Sequence, residues 1–461
     1  MNMRTSHEIV ALPMREAVAK MQASAMDLQV ACLGIEDKAA QRHALQAQLS
    51  AIALQRTAIE AAAIAEGLVS PEHAERQKSE GDALLESGDT LGAIQRYRTS
   101  LAARPDFAAA EHNLTIALLQ NYDETEAGAR LECLLERERG LSAGKRERFV
   151  DDGSDTGEMI AVSPFKLLDT SEQIRHLVNS KKIDASFGEL ACRYEELLND
   201  LAKRKNRAPY TQLTESERRR FSGYLDKCIY RGAGAALDEP VINPDLDFRA
   251  IEEEYNATKM LYFEALLTAP GISALRTYLR DSTIFFKHSE ARFVGSYLMD
   301  GLACGLVFQL LREIRACLPR ILRDRPVNNM WAYRYDAAGS GVVPHNGDGS
   351  VTLNFWLTPD DCNLTSGAGG MVMYDKTHPP EWNWQVTNQY KDDTGVQERV
   401  AAHLRDAKET VIPYRENRGV LFHSTLFHKT DPFRFKDGFP SRRANITILF
   451  GRRNQEAAAL Q

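Results

Sequence analysis

The chain has 461 residues, which is too long for one ordinary hydrophobic core, so we expect roughly three domains. Its 43% hydrophobic fraction excludes a chain that is disordered throughout, and its net charge of -7 argues against a protein devoted to nucleic acid or anionic membranes. The sequence contains no apolar run long enough for a membrane span, and its N-terminus lacks the apolar core of a signal peptide. Seven cysteines without a C-x-x-C pair indicate reduced thiols. Composition therefore predicts a soluble, cytoplasmic protein that binds neither nucleic acid nor membrane.

The first predicted region, residues 1–73, is rich in Ala, Leu and Gln, and its first 70 residues contain a single proline, Pro13. Its periodicity predicts two or three amphipathic helices. These helices would form either the cap of a helical array or a surface for a protein partner or for self-association.

The next region, residues 74–140, contains a more specific pattern. Gly81 is followed by Ala93, Tyr97 and Pro105 at offsets of 12, 16 and 24, with an SGD turn between two helical runs. This pattern resembles a tetratricopeptide repeat, in which small residues let two helices approach and a proline ends the second. A second, degenerate unit follows. Because one repeat cannot bury its apolar face alone, flanking helices would complete the stack, which is either a groove for a peptide or a structural spacer.

Residues 141–240 return to a helical pattern with many charges of both signs, which predicts a helical linker region with a solvated face. Pro240 and Pro244 mark its end. Beyond them, helical segments, of which the first is AIEEEYNATKMLYFEALL, lead into a strand-rich tail. This order suggests an α+β fold with a sandwich or barrel on a helical layer. The predicted domains are therefore 1–73, 74–140, 141–240 and 241–461.

The tail has six segments with the alternating or apolar pattern of short strands, separated by Gly, Pro, Asn and Asp turns. They are NMWAYRYDA, SVTLNFWLTP, GGMVMYDK, ETVIPYRE, RGVLFHSTLFHKT and RRANITILFGRR.

Histidines and arginines occur at informative places in these strands. His345 lies in a Gly-rich turn before one strand, His423 and His428 lie about 80 residues later, and Arg442 and Arg443 begin the last strand. Two histidines from distant strands with a nearby arginine match the needs of a non-haem iron centre. Imidazoles bind the metal, and the guanidinium anchors a dicarboxylate cosubstrate that also chelates it.

Residues from about 245 to 453 resemble a bacterial branch of the iron(II)/2-oxoglutarate-dependent dioxygenases. The resemblance is carried by MWAYRYDA, NFWLTPDD, GGMVMYDK, PYRENRGVLF, LFHKTD and RRANITILFGRR. This branch pairs a tetratricopeptide region with a catalytic double-stranded β-helix, or jelly roll. The resemblance therefore implies an all-helical N-terminal half, a C-terminal jelly roll with a helical layer, and Fe(2+), 2-oxoglutarate and O2 as cofactors.

The resemblance also implies a metal-ligand set. His345 is the first ligand and His428 the distal one, with His423 as the alternative. In the family a carboxylate stands two positions after the first histidine, but this chain has Gly347 there. Asp348 follows, and strand alternation turns its side chain away from the metal unless a bulge intervenes.

The cosubstrate is expected to bind Arg443, with Arg442 in reserve. Arg443 shares the polar face of its strand with Asn445 and Thr447, whereas the intervening apolar residues face the helices. Asn354 and either Tyr335 or Tyr333 are expected hydrogen-bond partners of 2-oxoglutarate, although these tyrosines fit equally well as core residues.

A glycine in place of the carboxylate resembles the signature of the iron/2-oxoglutarate halogenases, in which chloride or bromide occupies the vacant position. The resemblance then implies halogen insertion at an unactivated carbon by ferryl hydrogen abstraction and halogen rebound, with conversion of 2-oxoglutarate to succinate and CO2. The alternatives are a hydroxylase that uses Asp348 as its carboxylate ligand, oxidation without halide incorporation, and a non-catalytic tetratricopeptide scaffold. The substrate is a small molecule, a peptide or a carrier-bound group, and Trp382 and Trp384 occupy a loop suited to contact it.

Overall fold

The computed structural model describes residues 72–155, 160–204, 209–365, 367–383, 387–388 and 393–453. Trp384 lies outside these ranges, and so do the helices that the sequence predicts before residue 72. The chain divides into two compact units, Met1–Ala127 and Gly128–Gln461. Within the described ranges, no helix combines the length and apolar composition needed to cross a bilayer. Partner binding or self-association through the N-terminal helices stays a prediction.

The described helices have the following bounds: α1 Glu72–Ser87, α2 Thr90–Ala103, α3 Ala108–Gln120, α4 Glu124–Arg139, α5 Ala143–Glu147, α6 Pro164–Asn179, α7 Phe187–Ala202, α8 Glu215–Arg219, α9 Phe248–Thr258, α10 Ala269–Asp281, α11 Gly305–Cys317, α12 Pro319–Leu322 and α13 Thr394–Leu404.

In the first unit, α1 and α2 approach closely through a glycine. A Cβ atom on Gly81 would lie 2.7 Å from Cε1 of Tyr97, so a larger residue would push the two helices apart. The turn between the helices contains Gly88 at a φ of 92°, and Asp89 caps α2 by accepting a hydrogen bond from the backbone N–H of Gly92. The assignment of this pair to a tetratricopeptide repeat stays a prediction.

The strands have the following bounds: β1 Ala161–Val162, β2 Thr211–Gln212, β3 Met260–Phe263, β4 Lys287–His288, β5 Phe293–Tyr297, β6 Val327–Tyr335, β7 Ala338–Gly339, β8 Val351–Trp356, β9 Met371–Thr377, β10 Glu409–Ile412, β11 Gly419–His423, β12 Leu426–Thr430, β13 Phe433–Arg434 and β14 Ala444–Phe450.

The region predicted as a helical linker has a hydrophobic core of its own. Leu167 and Ile174 of α6 and Leu190 and Leu197 of α7 are fully buried in it. The antiparallel pair β1–β2 also lies in this part of the chain. The prediction of an all-helical N-terminal half is therefore wrong, because this small sheet interrupts the helices.

Two antiparallel sheets form the C-terminal part of the second unit. The large sheet has the order β3-β11-β8-β14-β6-β5-β4, and the small sheet has the order β10-β9-β12. Along the chain, β8, β11 and β14 belong to the large sheet, whereas β9, β10 and β12 belong to the small one. Successive segments thus wind between two sheets, which is the strand order of a jelly roll. The α+β prediction is confirmed.

The two sheets pack face to face around one core. Tyr335 and Trp356 of the large sheet belong to the same buried cluster as Met371 and Met373 of the small sheet. The segment RGVLFHSTLFHKT, predicted as one strand, divides at Ser424 into β11 in the large sheet and β12 in the small one. This division places the residues after Ser424 in the small sheet, opposite the large one.

A second difference concerns the helix predicted to run through AIEEEYNATKMLYFEALL. This helix, α9, ends at Thr258, and its C-cap residue Lys259 has a left-handed φ of 59°. Met260 then begins β3, an edge strand that pairs with β11. Tertiary pairing with the sheet overrides the local helical pattern here.

Candidate metal and cosubstrate site

Strand register places polar side chains in the middle of the large sheet. Thr447 of β14 lies between Trp331 of β6 and Asn354 of β8, and Asn445 lies opposite Tyr333. Since directly opposed residues share a face, these side chains project together. They line a cavity of about 400 Å³ between the two sheets.

Both predicted histidine ligands face this cavity. His345 and His428 form an isolated antiparallel bridge in which each backbone N–H donates to the carbonyl of the other at 2.9 Å. Paired residues of this kind project to the same side, and the centroids of the two imidazole rings are 4.5 Å apart. The pairing therefore brings together two residues that are 83 positions apart in the sequence.

The backbone also sets the tautomer of each imidazole. Nδ1 of His345 lies 2.8 Å from the carbonyl oxygen of Val343, and Nδ1 of His428 lies 3.1 Å from that of Leu426. A carbonyl can only accept, so each Nδ1 donates and each Nε2 carries the lone pair. Burial, together with the neighbouring His345, lowers the pKa of His428 to about 3. This arrangement suits neutral imidazoles that bind a metal through Nε2.

A carboxylate does not complete this pair. Among the described residues, no three His, Cys, Asp or Glu side chains come close enough together to hold a metal ion. Asp348 lines the same cavity but is exposed. Its backbone carbonyl accepts a hydrogen bond from Nδ2 of Asn328 at 2.7 Å. The two histidines are therefore not joined by Asp348 in a three-residue ligand group.

Gly347 also lines the cavity, next to His345. The φ angle of Gly347 lies outside the positive range that favours glycine, so the backbone conformation at this position is accessible to other residues. A Cβ atom at this position would lie 3.3 Å from Cδ2 of Leu449 and 3.4 Å from Cβ of Ser424. A side chain would thus fit after shifts of a few tenths of an ångström in its neighbours.

Arg443 is a buried cation at the inner end of the cavity, with only 2% of its surface exposed. Its Nε donates to the carbonyl of Gly369 at 3.0 Å, and one terminal nitrogen donates to Gly370 at 3.3 Å. The guanidinium carbon lies 4.7 Å from the ring centroid of Tyr335. Within the described part of the chain, no carboxylate forms an ion pair with Arg443. Because a buried charge needs a counter-charge, this arrangement calls for an anionic ligand.

Arg442, the reserve candidate, precedes β14 and is not among the residues that line the cavity. Its guanidinium donates to Oδ1 of Asp169 on α6 at 2.5 Å and pairs with Glu172 at 2.6 Å. Arg334 of β6 donates to both oxygens of the same Asp169. Arg442 is therefore neutralised by acids of the helical layer, whereas Arg443 is not.

The predicted partners of the cosubstrate lie beside Arg443. Oδ1 of Asn354 accepts hydrogen bonds from Asn445 and Thr447 at 2.8 and 2.9 Å, and its Nδ2 has no partner although it is buried. Tyr335 is buried against Arg443, and burial raises its pKa, so the phenol stays protonated at neutral pH. Among the described residues, Asn354 Nδ2 has no hydrogen-bond partner and Arg443 has no carboxylate partner, and this combination suits a bound carboxylate group.

The other candidates lie elsewhere. His423 is not among the cavity-lining residues, and its Nδ1 is 2.6 Å from Oγ1 of Thr425. Trp382 packs in a separate cluster with Tyr374 and Phe427, outside the cavity.

Sequence reasoning missed one whole side of the cavity, which is formed by aromatic and amide side chains. They are Phe293, Tyr297, Asn328, Asn329 and Trp331. The signal was present in VNNMWAYRY, where Asn329, Trp331, Tyr333 and Tyr335 occupy alternate positions of one strand. A smaller cavity of about 170 Å³ adjoins the first and shares His345, Asn346 and Asn388 with it.

No protein-family model matches the sequence, and no curated protein matches it.

Several solved structures are similar to nearly half of the chain. The non-heme alpha ketoglutarate dependent epimerase SnoN from nogalamycin biosynthesis is 13% identical, with a TM-score of 0.34, over 44% of this chain and 83% of that one. A prolyl-4-hydroxylase from Pseudomonas putida is 15% identical, with a TM-score of 0.31, over 45% and 100%. HygX from Streptomyces hygroscopicus, solved with iron bound, is 13% identical, with a TM-score of 0.31, over 46% and 88%. Scores of this size do not establish a shared fold, so the function proposed below depends on the site itself.

Proposed function

We propose that this chain is an iron(II)- and 2-oxoglutarate-dependent halogenase. The observation that supports it most is the combination within one cavity of two imidazoles, a glycine beside the first imidazole, and a buried arginine that has no carboxylate partner among the described residues. The donor set fits the implied groups, because imidazole nitrogens suit Fe(2+) and a guanidinium suits a dicarboxylate. Bound iron would use O2 and 2-oxoglutarate to oxidise an unactivated C–H bond.

The residues of the chain have distinct roles in this proposal. His345 and His428 would hold iron through Nε2, because each Nδ1–H donates a hydrogen bond to a backbone carbonyl, that of Val343 or Leu426. Arg443 binds the remote carboxylate of 2-oxoglutarate, and Nδ2 of Asn354 donates a further hydrogen bond to it. Gly347 leaves room beside His345, where chloride or bromide would supply the negative charge that an aspartate would otherwise provide.

The decisive experiment compares Asp348→Asn with wild type. If halide replaces the carboxylate, removal of the Asp348 charge leaves Fe(2+) affinity within about threefold, because Asp348 is not a ligand. If the chain is a hydroxylase with Asp348 as ligand, affinity falls by at least about tenfold, since even groups that only support ligands contribute 10- to 100-fold. Fe(2+) binding is measured by equilibrium dialysis under argon.

A second measurement addresses halide directly. Chloride is expected to tighten Fe(2+) and 2-oxoglutarate binding in the wild type, whereas Gly347→Asp is expected to remove this dependence because its carboxylate occupies the halide position. Chloride and bromide are compared with sulfate at equal ionic strength. Halide-independent binding in the wild type would contradict the halogenase proposal. Absence of any Fe(2+) binding would favour the non-catalytic scaffold.

A further inference from the structure

Four aromatic side chains form one wall of the cavity, which we call the aromatic wall: Phe293 and Tyr297 of β5, and Trp331 and Tyr333 of β6. The β5–β6 register places Tyr297 opposite Trp331 and Gly295 opposite Tyr333. A Cβ atom on Gly295 would lie 2.8 Å from Cε1 of Tyr333. The glycine therefore lets the Tyr333 ring lie across β5 and join the rings on that strand.

The rings form a continuous surface. The centroids of Phe293 and Tyr333 are 4.4 Å apart, those of Trp331 and Tyr333 are 5.9 Å apart, and those of Tyr297 and Trp331 are 5.9 Å apart. All four aromatic residues are only partly buried. Phe293 and Tyr333 pack against the buried cluster between the sheets and also line the cavity. A contiguous aromatic surface that opens on a cavity is typical of a ligand-binding site.

The polar groups of this wall are uncharged. The hydroxyls of Tyr297 and Tyr333 are 2.8 Å apart, and burial raises the pKa of both phenols, so both stay protonated at neutral pH. Their mutual hydrogen bond uses one hydroxyl proton, so the other proton is available to a ligand acceptor. Among the described residues that line the cavity, the groups charged at neutral pH are Arg443 and Asp348. The wall therefore matches a neutral ligand.

We infer that the substrate is a small, neutral molecule whose planar aromatic ring stacks on the aromatic wall. This inference rests on the proposed function, because the wall shares its cavity with His345 and His428. Aromatic rings prefer offset stacked or edge-to-face contacts with other rings, and the wall offers several ring faces. A cavity of about 400 Å³ lies within the usual range for small-molecule sites, which favours a free small molecule over a folded partner.

The experiment compares two probes that share size and a hydroxyl but differ in aromaticity: 2-naphthol and decahydro-2-naphthol. Each is titrated into the full-length protein and followed by isothermal titration calorimetry. The aromatic probe is expected to bind at least about tenfold more tightly, because two ring–ring contacts are lost in the saturated probe. Equal affinities, or no binding of 2-naphthol, would overturn the inference.

Variants locate the binding site. Trp331→Leu and the milder Phe293→Leu are expected to weaken 2-naphthol binding by about tenfold and about threefold, respectively. Tyr262→Leu is the matched control, because Tyr262 is 45% exposed on the edge strand β3, outside the cavity. It is expected to leave binding unchanged. Unaltered binding in both wall variants would place the probe elsewhere and overturn the inference.

A parallel titration with 2-oxoglutarate in the presence of Ni(2+) separates this inference from the proposed function. Binding of 2-naphthol without binding of 2-oxoglutarate would refute the proposed function while the aromatic site stands. Binding of 2-oxoglutarate with no preference between the two probes would refute the aromatic site alone.

Discussion

Two adjacent arginines, Arg442 and Arg443, are almost equally buried. Arg442 forms ion pairs with two carboxylates, whereas Arg443 forms none with the described residues. Both residues precede β14; Arg442 pairs with Asp169 and Glu172, whereas Arg443 lines the cavity, with its guanidinium over the ring of Tyr335. Their substitution should therefore give contrasting results.

Arg443→Met is expected to weaken 2-oxoglutarate binding by at least about 30-fold, since loss of one partner of a buried charge pair costs about 2–5 kcal/mol. The same change should leave the melting temperature equal or higher, because it removes a buried charge that no carboxylate in the described part of the chain neutralises. Arg442→Met is expected to lower stability instead, because it leaves Asp169 and Glu172 with less compensation. Calorimetric titration and thermal unfolding report the two quantities, and an equal loss of binding in both variants would contradict the assignment.

The histidines allow a second residue-level prediction. His428→Ala is expected to weaken Ni(2+) or Fe(2+) binding by more than about 100-fold, because it removes one of two imidazole ligands. His423→Ala is the matched control. It removes the same kind of side chain five positions earlier, but His423 is not among the residues that line the cavity. Its metal affinity should change by less than about threefold. Equilibrium dialysis distinguishes the two, and the reverse order would exchange their roles.

At the scale of elements, α6 is joined to two central strands of the large sheet by one carboxylate. Asp169 is 1% exposed and accepts hydrogen bonds from Arg334 of β6 and from Arg442, which precedes β14. The opposite faces of these strands carry Tyr335 and Arg443, which line the cavity. The helix therefore supports the backbone on which the cosubstrate residues lie.

Asp169→Asn is expected to destabilise the protein by about 3–5 kcal/mol, because it leaves two buried guanidinium groups without full compensation. Glu195→Gln is the control, since Glu195 forms an exposed ion pair with Arg175 on the helical surface and should contribute less than about 1 kcal/mol. Urea unfolding followed by circular dichroism measures both. Equal effects of the two substitutions would contradict the anchoring role.

The same carboxylate predicts a pH dependence. Burial opposes ionisation of Asp169, but Arg334 and Arg442 outweigh burial and lower its pKa. A depressed folded-state pKa contributes stability above the unfolded value of about 3.9, and this contribution is lost as the pH falls through the folded pKa. The stability difference between wild type and Asp169→Asn should thus be constant between about pH 5 and pH 8 and shrink below about pH 4. Urea titrations at several pH values test this.

At the scale of the whole molecule, the site residues and their helical support belong to the second unit, Gly128–Gln461. A fragment of residues 121–461 begins in the turn before α4 and keeps Asp169. It is expected to fold and to bind 2-oxoglutarate with Ni(2+) as the full chain does. A fragment of residues 241–461, which starts at the predicted domain boundary, lacks Asp169 and should fail to bind. Binding by the shorter fragment would show that the helical layer is dispensable.

Much of the site could be predicted from the sequence because its chemistry is concentrated in short segments. Residue type and strand position singled out His345, His428 and Arg443, and the family resemblance added Gly347 and Asn354; all five line one cavity. The α+β class was also accessible, because periods of 3.6 and 2 residues distinguish helices from strands locally.

Tertiary structure alone decided three other features: the break between β11 and β12, the conversion of residues 260–263 to an edge strand, and the engagement of Asp169 with Arg334 and Arg442. It also assembled the aromatic wall from β5 and β6. These features depend on pairing between residues far apart in the chain, and local propensity carries no information on which distant strand or charge will satisfy a given backbone or side chain. The sequence alone thus determined which chemical groups are available, whereas the pairing of strands decided which of them meet.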